Sequence, residues 1–172
     1  MRLTKLAVIL MLGILLVSGL GCGGLAKPIV NYVPDGWEFE GEYHSETSDF
    51  VSLKYVKKEN GNTAGSLGIT YSSIPGYITQ HAAYYGVSIE EALLAYAKLN
   101  LQTSRGTDKE SGTTTVGDHP AVYTQFKIPD SDITLKHIYF IEEDTFFKFS
   151  MDYRKTSVET EAMALINSIT FN

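Results

Sequence analysis

Four histidines, one cysteine and several groups of carboxylates are the side chains of this 172-residue chain that could carry chemistry. A metalloprotease-type site would need two histidines at H-E-x-x-H spacing. No histidine pair has that spacing, and the four are far apart: His44, His81, His119 and His137. With a single cysteine, a zinc site would need imidazoles and carboxylates from distant segments. We therefore predict no metal and no cofactor, and we interpret the histidines as solvated or hydrogen-bonded single residues.

The segment Ala64-Gly65-Ser66-Leu67-Gly68 differs by one residue from the G-x-S-x-G nucleophile elbow. That elbow requires its serine on a sharp turn from a strand into a helix. Ser66 lies instead in a segment that we predict to be a hairpin strand, where glycine and serine would ease a bend. The sequence therefore does not predict a nucleophilic serine.

The carboxylates form two groups that could hold a cation or share a proton. Asp130-Ser131-Asp132 offers far fewer than the six to eight oxygens that calcium takes, so we interpret it as a solvated turn, with a weak calcium contact as the alternative. Glu38, Glu40 and Glu42 alternate along a predicted strand and should share one face. We expect that face to be exposed to solvent rather than to work as a general acid and base.

The cysteine follows an uncharged apolar stretch, Leu6 to Leu20, which is preceded by Arg2 and Lys5. This layout is typical of a secretory signal peptide. As a helix the stretch would be about 22 Å long, which is short of the hydrocarbon core of about 30 Å. A permanent membrane span is therefore the weaker interpretation.

The segment Ser18-Gly19-Leu20-Gly21-Cys22 resembles the lipobox of prokaryotic lipoproteins, although Gly19 stands where leucine is usual. The resemblance implies cleavage after Gly21 and a lipid on Cys22; an ordinary secretory signal is the alternative. We predict a signal peptide over residues 1–21, a lipidated cysteine with a flexible tether over 22–30, and a single domain over 31–172. The expected location is the extracytoplasmic face of the cell membrane.

The composition limits the classes of partner. Removal of residues 1–21 takes away two of the 14 basic residues and none of the 20 acidic ones, so the net charge moves from −6 to about −8. Nucleic acid needs a basic face, and an anionic membrane surface attracts cationic segments. We therefore predict no nucleic-acid partner and a domain that stands away from its anchor.

The hydrophobic pattern predicts strands in runs rather than alternating with helices. A hairpin turns at Glu59-Asn60-Gly61-Asn62, a helix with a Ser88 capping box runs to about Leu101, and a four-strand meander follows Thr113. A second capping box at Thr156 and Glu159 starts a final helix, and residues 168–171 could close with a short strand. The fold class is α+β with a mostly antiparallel sheet, apolar on both faces and therefore covered on both.

These positions together resemble the PsbP-like family: PDGW near the start, the central helix, TTVGDHPAVYTQF, YFIEEDTFFKFSMDY and the terminal INSITF. The resemblance covers nearly all of the chain after the signal peptide. It implies an α/β/α sandwich and action by binding other proteins. It carries no catalytic signature, and no residue matches a specific partner-binding motif.

The connector SSIPGYITQHAAYYGV, residues 72–87, is unusually aromatic for a loop. If it forms a helical turn or two, Tyr77, His81 and Tyr84 share one face, and Ile78, Ala82 and Tyr85 share the next. We predict that the first face docks a partner or ligand; the alternative is that all the aromatic residues cover the sheet.

The predicted function is a lipid-anchored extracytoplasmic binding or accessory protein with a protein partner and without catalytic activity. Two alternatives stay open: a small extracytoplasmic hydrolase with a scattered histidine and carboxylate site, and a carrier of a small apolar ligand between sheet and helix. A pocket with convergent polar groups would favour the enzyme, and a deep apolar cavity would favour the carrier.

Overall fold

The computed structural model describes residues 24–172 of the chain. The predicted signal peptide and Cys22 lie outside the described residues. The helices are α1 (Gly76–Tyr85), α2 (Ile89–Thr103) and α3 (Thr156–Asn167). The strands are β1 (Pro28–Val30), β2 (Trp37–His44), β3 (Val51–Glu59), β4 (Asn62–Ser73), β5 (Thr107–Val116), β6 (His119–Lys127), β7 (Thr134–Glu142), β8 (Thr145–Tyr153) and β9 (Ile169–Phe171).

Within residues 24–172, seven strands form one antiparallel sheet in the order β2-β3-β4-β8-β7-β6-β5. Strands β2 to β4 and strands β5 to β8 are two meanders, and the pairing of β4 with β8 joins them. The chain passes from the middle of the sheet at β4 to its edge at β5 through α1 and α2. This crossing places both helices over one face of the sheet. The predicted fold class is confirmed.

The predicted hairpins form where the turn residues tolerate positive φ. Asn60 and Gly61, between β3 and β4, have φ of 50° and 78°, as a two-residue hairpin turn with both central residues left-handed requires. The two strands around Gly117 and the β7–β8 hairpin at Glu143-Asp144 also form as predicted. The local turn chemistry therefore determines the strand order within each meander.

The larger core lies between the sheet and α3. The buried positions Val158, Ala162, Leu165 and Ile166 follow one stripe of α3, as the helical spacing predicted. They cover the alternate apolar residues of the central strands, among them Phe140, whose ring stacks on that of Phe147 with centroids 4.8 Å apart. This core is aromatic and closely packed.

The two ends of the described chain meet beside this core, and this shortens the predicted tether. β1 pairs with β9, Ala26 is buried, and its N–H donates to Thr145 Oγ1 at 2.8 Å. The expectation of a flexible tether over residues 22–30 is therefore wrong from Ala26 onward. The short closing strand that we predicted needs partners for its backbone groups, and β1 supplies them.

The second core lies between the sheet and the layer of α1 and α2. It contains Ile78 and Ala82 of α1, Ala92, Leu93 and Ala97 of α2, and Val122, Tyr139 and Phe146 of the sheet. Both faces of the sheet are therefore covered by helices, as the two-sided apolar pattern predicted. The layers are helix, sheet and helix.

One of the two predicted capping boxes forms. Ser88 Oγ accepts from the Glu91 N–H at 3.1 Å, and the Glu91 carboxylate accepts from the Ser88 N–H at 3.0 Å. The capping box predicted at Thr156 and Glu159 is wrong, because Lys155 is the N-cap residue of α3 and no side chain caps that end. The Glu159 carboxylate instead binds the Lys136 ammonium on β7 at 2.7 Å.

None of the helices in residues 24–172 is long and apolar enough to cross a bilayer.

Candidate functional site

A cleft of about 630 Å³ opens between the N-terminal half of α2 and the outer strands of the sheet; we name it the α2 cleft. The capping box fixes where α2 begins, so Ile89, Leu93 and Leu94 form one wall. The opposite wall consists of Thr113 and Thr114 of β5, Pro120, Ala121 and Val122 of β6, and Ile141 of β7, and Ile74 closes one side. The walls are predominantly apolar, as is typical of small-molecule sites.

The rim of the α2 cleft is acidic. Glu90 and Glu91 border it on the helix, and Glu143 and Asp144 border it on the turn between β7 and β8. No lysine, arginine or histidine is among the residues that line the cleft. The Glu91 carboxylate is engaged in the capping box, so the other three carboxylates set the local potential. Such a rim repels anions and attracts cations.

The three residues of the predicted docking face lie on α1, but the structure brings only two of them together. Tyr77 and His81 line a shallow cavity of about 500 Å³ between α1 and α2. Tyr77 packs on Tyr96 with ring centroids 4.8 Å apart, and burial, with a smaller contribution from Tyr96, raises the pKa of Tyr77. Tyr84 is 83% exposed and contacts Tyr85 edge to face instead.

A third site, the polar pocket, lies beneath the C-terminal half of α2. It is a cavity of about 150 Å³ whose polar lining consists of Tyr96 and Asn100 from α2, Ser104 at the C-cap of α2, Thr124 from β6, His137 and Tyr139 from β7, and Lys148 from β8. Antiparallel pairing of β7 with β8 sets Tyr139 opposite Lys148 and His137 opposite Ser150. The alternation of side chains then points His137, Tyr139 and Lys148 to the same face.

Burial dominates the electrostatics of the polar pocket. Burial, and to a lesser degree the charge of Lys148, lowers the pKa of His137 to about 4. Burial also lowers the pKa of Lys148 and raises the pKa of Tyr139 to about 12. His137 is therefore neutral at pH 7, with its Nδ1 3.2 Å from the Tyr139 hydroxyl.

Among the described residues, the polar pocket places no carboxylate beside its histidine. A catalytic histidine needs a nucleophile within hydrogen-bond reach and a carboxylate or similar group that orients its ring. Within residues 24–172, the hydrogen-bond partner of the His137 ring is the Tyr139 hydroxyl, and no carboxylate lines the pocket. The arrangement can donate hydrogen bonds and positive charge, but it does not assemble an acyl-transfer site.

The other histidines are separate, as the sequence predicted for all four. His44 pairs with Glu42 at 2.7 Å, and His119 pairs with Glu142 at 2.6 Å. Within the described part of the chain, no three histidine, cysteine or carboxylate side chains are grouped as metal ligands.

Ser66 lies inside β4 and not on a strand-to-helix turn, and its hydroxyl donates to the Asp152 carboxylate on β8. We expected the neighbouring glycine, Gly65, to ease a bend in the strand, but the structure shows that it is needed for close packing. A Cβ at Gly65 would lie 2.6 Å from Val158 Cγ1 and 2.7 Å from the Asp152 carbonyl oxygen. Gly65 therefore permits α3 to approach the sheet closely.

The carboxylates of β2 do not share one face, so that expectation is wrong. A β-bulge at Glu40 breaks the alternation. Glu38 pairs with Val56 and Glu42 with Leu53, which point to opposite faces of β3. In the predicted solvated turn, Asp132 pairs with Arg154 at 2.8 Å.

No protein-family model matches the chain, and no curated protein has significant sequence similarity to it. A solved structure does match: LpqN of Mycobacterium tuberculosis, described as involved in cell envelope biogenesis, is 13% identical with a TM-score of 0.51 over 88% of this chain and 87% of that one. The chain shares the fold of LpqN. The extracellular domain of PknH from the same organism aligns over 84% of this chain and 83% of that one, with 6% identity and a TM-score of 0.31.

Sequence patterns did not predict the polar pocket, although part of its lining follows from the register of two strands. A two-residue turn at Glu143-Asp144 fixes the register of β7 with β8, and that register alone sets Lys148 beside Tyr139. Asn100 reaches the same place only because α2 crosses these strands. No short sequence pattern predicts that α2 crosses these strands.

Proposed function

We propose that the chain is a lipid-anchored, extracytoplasmic binding protein whose ligand is a small neutral or cationic amphiphile. The observation that carries this proposal is the α2 cleft of about 630 Å³, which is within the range of about 300–1,000 Å³ that small-molecule sites occupy. Its apolar walls suit an apolar body, and its acidic rim suits a neutral or cationic polar group. Of the alternatives that the sequence left open, we therefore propose the carrier of a small ligand as the way in which this binding protein acts.

A purely catalytic role has less support. The one strongly perturbed histidine, His137, lies in the polar pocket without a carboxylate lining, and the residues of the α2 cleft include no histidine or lysine that could act as a base. We therefore propose a binding protein without catalytic activity.

The proposed location rests on the sequence. Arg2, Lys5, the apolar stretch and Gly21-Cys22 have the layout of a lipoprotein signal, and two acyl chains suffice for stable anchoring. The description of LpqN as involved in cell envelope biogenesis supports the same placement. The PsbP-like family assignment stays a prediction.

The cleft is tested with the neutral fluorescent probe 1-N-phenylnaphthylamine and the anionic probe 8-anilinonaphthalene-1-sulfonate. The neutral probe should bind and the anionic one should bind more weakly, because the rim is acidic. Thr113→Trp, which fills the cleft from β5, should weaken binding about tenfold, or about 1.4 kcal/mol. Thr115 lies two residues along β5 and outside the cleft lining, so Thr115→Trp is the matched control. Equal effects of the two variants would refute the cleft as the binding site.

The anchor is tested with Cys22→Ser. The variant should appear in the soluble fraction or remain as an uncleaved precursor, because the lipid has no other attachment point. Gly24→Ser, two residues further on, is the control and should stay with the membranes. A cleaved Cys22→Ser protein that resists a high-salt wash of the membranes would contradict the lipid assignment.

The docking face of Tyr77, His81 and Tyr84 stays a second proposal, favoured by the exposure of Tyr84. Helix α1 contains no Asp, Glu, Lys or Arg, so we propose that it contacts an uncharged protein surface through tyrosines. A photo-crosslinking residue at Tyr84 should capture one discrete protein in the membrane, and His81→Ala should abolish that product. The same crosslinker at the exposed Tyr32 is the control; identical products from both positions would contradict the docking face.

A further inference from the structure

The polar pocket contains a positive charge and a hydrogen-bond donor for which residues 24–172 supply no counter-charge and no acceptor. None of the ion pairs formed within residues 24–172 includes Lys148. The side-chain amide nitrogen of Asn100 is buried and finds no acceptor among the same residues. No aspartate or glutamate lines the pocket. The pocket of about 150 Å³ therefore holds a cation without a counter-charge and a buried amide nitrogen without an acceptor within the described residues.

This arrangement is costly unless something compensates it. A cation partly removed from water without a counter-charge is unfavourable, and a buried amide N–H without an acceptor costs more than a satisfied one gains. An occupant that brings negative charge and several acceptor atoms would offset both costs at once. The volume of about 150 Å³ limits that occupant to a small group.

We propose that the polar pocket binds a small oxyanion, of the carboxylate or the sulfate and phosphate type, through Lys148, Asn100 and His137. The ammonium of Lys148 supplies the charge, the Asn100 amide supplies an N–H, and the neutral imidazole of His137 supplies one more. A metal cation does not fit, because the Lys148 ammonium repels it and no carboxylate of residues 24–172 lines the pocket to offset that repulsion. The oxyanion site is separate from the α2 cleft and does not depend on the proposed function.

The charged groups around the pocket fit this assignment. Of the elements packed against it, β8 brings Lys148, β7 brings His137 and Tyr139, and α2 and β6 bring only uncharged side chains. On the adjoining open sheet face, the Lys54 ammonium is already paired with Glu40, and the Asp152 carboxylate accepts from Ser66. Lys148 is thus the cation of this region that is left for a ligand.

The test is equilibrium dialysis of the full chain, in a non-ionic detergent at pH 7, against labelled sulfate and labelled acetate at constant ionic strength. We expect one saturable site per chain for at least one of the two anions. A preference for sulfate indicates a tetrahedral ligand, and a preference for acetate indicates a carboxylate. No saturable binding of either anion would overturn the proposal.

Two variants and one control connect the binding to the pocket. Lys148→Met and Asn100→Leu should each weaken the preferred anion at least about tenfold, since each removes a donor. Lys54→Met changes a lysine on the same sheet face outside the pocket and should alter affinity by less than about twofold. Lys148→Met should keep or raise the denaturation midpoint, because it removes a desolvated charge. Equal losses in Lys148→Met and Lys54→Met would also overturn the proposal.

Selective ¹³C labelling of histidine gives an independent readout. A bound anion favours the charged imidazolium, so the saturating anion should raise the pKa of His137 and leave that of His81, on α1, unchanged. Equal responses of the two rings would show that the anion acts on the protein as a whole and would contradict the site.

Discussion

Lowering the pH from 7 to 5 should destabilise this protein through one residue, His137. Burial holds the pKa of His137 at about 4 in the folded chain, against 6.5 for an ordinary histidine. The unfolded chain therefore binds a proton below about pH 6.5 that the folded chain does not take up until about pH 4. Stability is then fully present above pH 6.5 and is lost as the pH falls toward 4. The linkage relation gives a loss of about 2 kcal/mol between pH 7 and pH 5.

The carboxylates contribute to the pH dependence of stability in a different pH range. Glu40 and Glu161 have pKa values lowered by hydrogen bonds to Lys54 and Lys57 respectively. Their contribution to stability is present above the ordinary value of 4.5 and is lost only as the pH falls below it. The interval from pH 7 to pH 5 therefore isolates histidine titration.

The assay is urea denaturation of the full chain at pH 7, 6 and 5 in Bis-Tris and piperazine buffers with chloride as the only anion. Phosphate and carboxylate buffers are excluded, because an oxyanion in the polar pocket would raise the pKa of His137 and hide the effect. The stability difference between wild type and His137→Gln should change by about 2 kcal/mol over this range. His81→Gln, a change on the half-exposed face of α1, should follow the wild type. Parallel curves for wild type and His137→Gln would refute a half-buried His137 that stays neutral.

Two further perturbations test the packing that positions the sites. Ser88→Ala should cost about 1 kcal/mol of unfolding free energy in denaturant titrations, since it removes the N-cap acceptor of α2. The control is Thr156→Ala, at the uncapped start of α3, which should change stability by less than about 0.5 kcal/mol. Equal losses in the two variants would contradict the cap assignment. Gly65→Ala should cost about 1–3 kcal/mol, because its Cβ would meet both Val158 and the Asp152 carbonyl oxygen. Gly68→Ala, whose nearest neighbour is 3.8 Å away, is the control.

Local patterns predicted the sheet well because each hairpin is specified within a few residues. In β7, alternating apolar residues on both faces predicted a strand covered on both sides, and Ile138, Tyr139 and Phe140 are indeed buried. The turn residues at Asn60-Gly61 and Glu143-Asp144 then set which strands pair. Local patterns did not predict the β-bulge at Glu40, because a bulge depends on the partner strand and has no reliable local sequence pattern.

The end of helix α1 was also not predicted correctly from local sequence. Its helical spacing predicted Ile78 and Ala82 on the inner face, and both are buried. Tyr85 was expected on that face but is exposed, because α1 ends there and Gly86 turns the backbone into the left-handed region with φ of 65°. The candidate sites were harder still to predict, since each is closed by α2, whose path across the sheet follows from the pairing of β4 with β8.

Helix α2 borders two sites of opposite character, and its packing implies that they act independently. Along α2, from the apolar cleft at its N-terminal half to the polar pocket at its C-terminal half, Ala92, Leu93 and Ala97 are buried against the sheet. These contacts hold the helix in place whether or not either site is occupied, so a ligand at one end gains nothing from ordering the other. Saturating sulfate should therefore change the affinity for 1-N-phenylnaphthylamine by less than about twofold. A larger change would mean that α2 moves as a unit when a ligand binds at either end. Its packing on the sheet would then be weaker than its burial indicates.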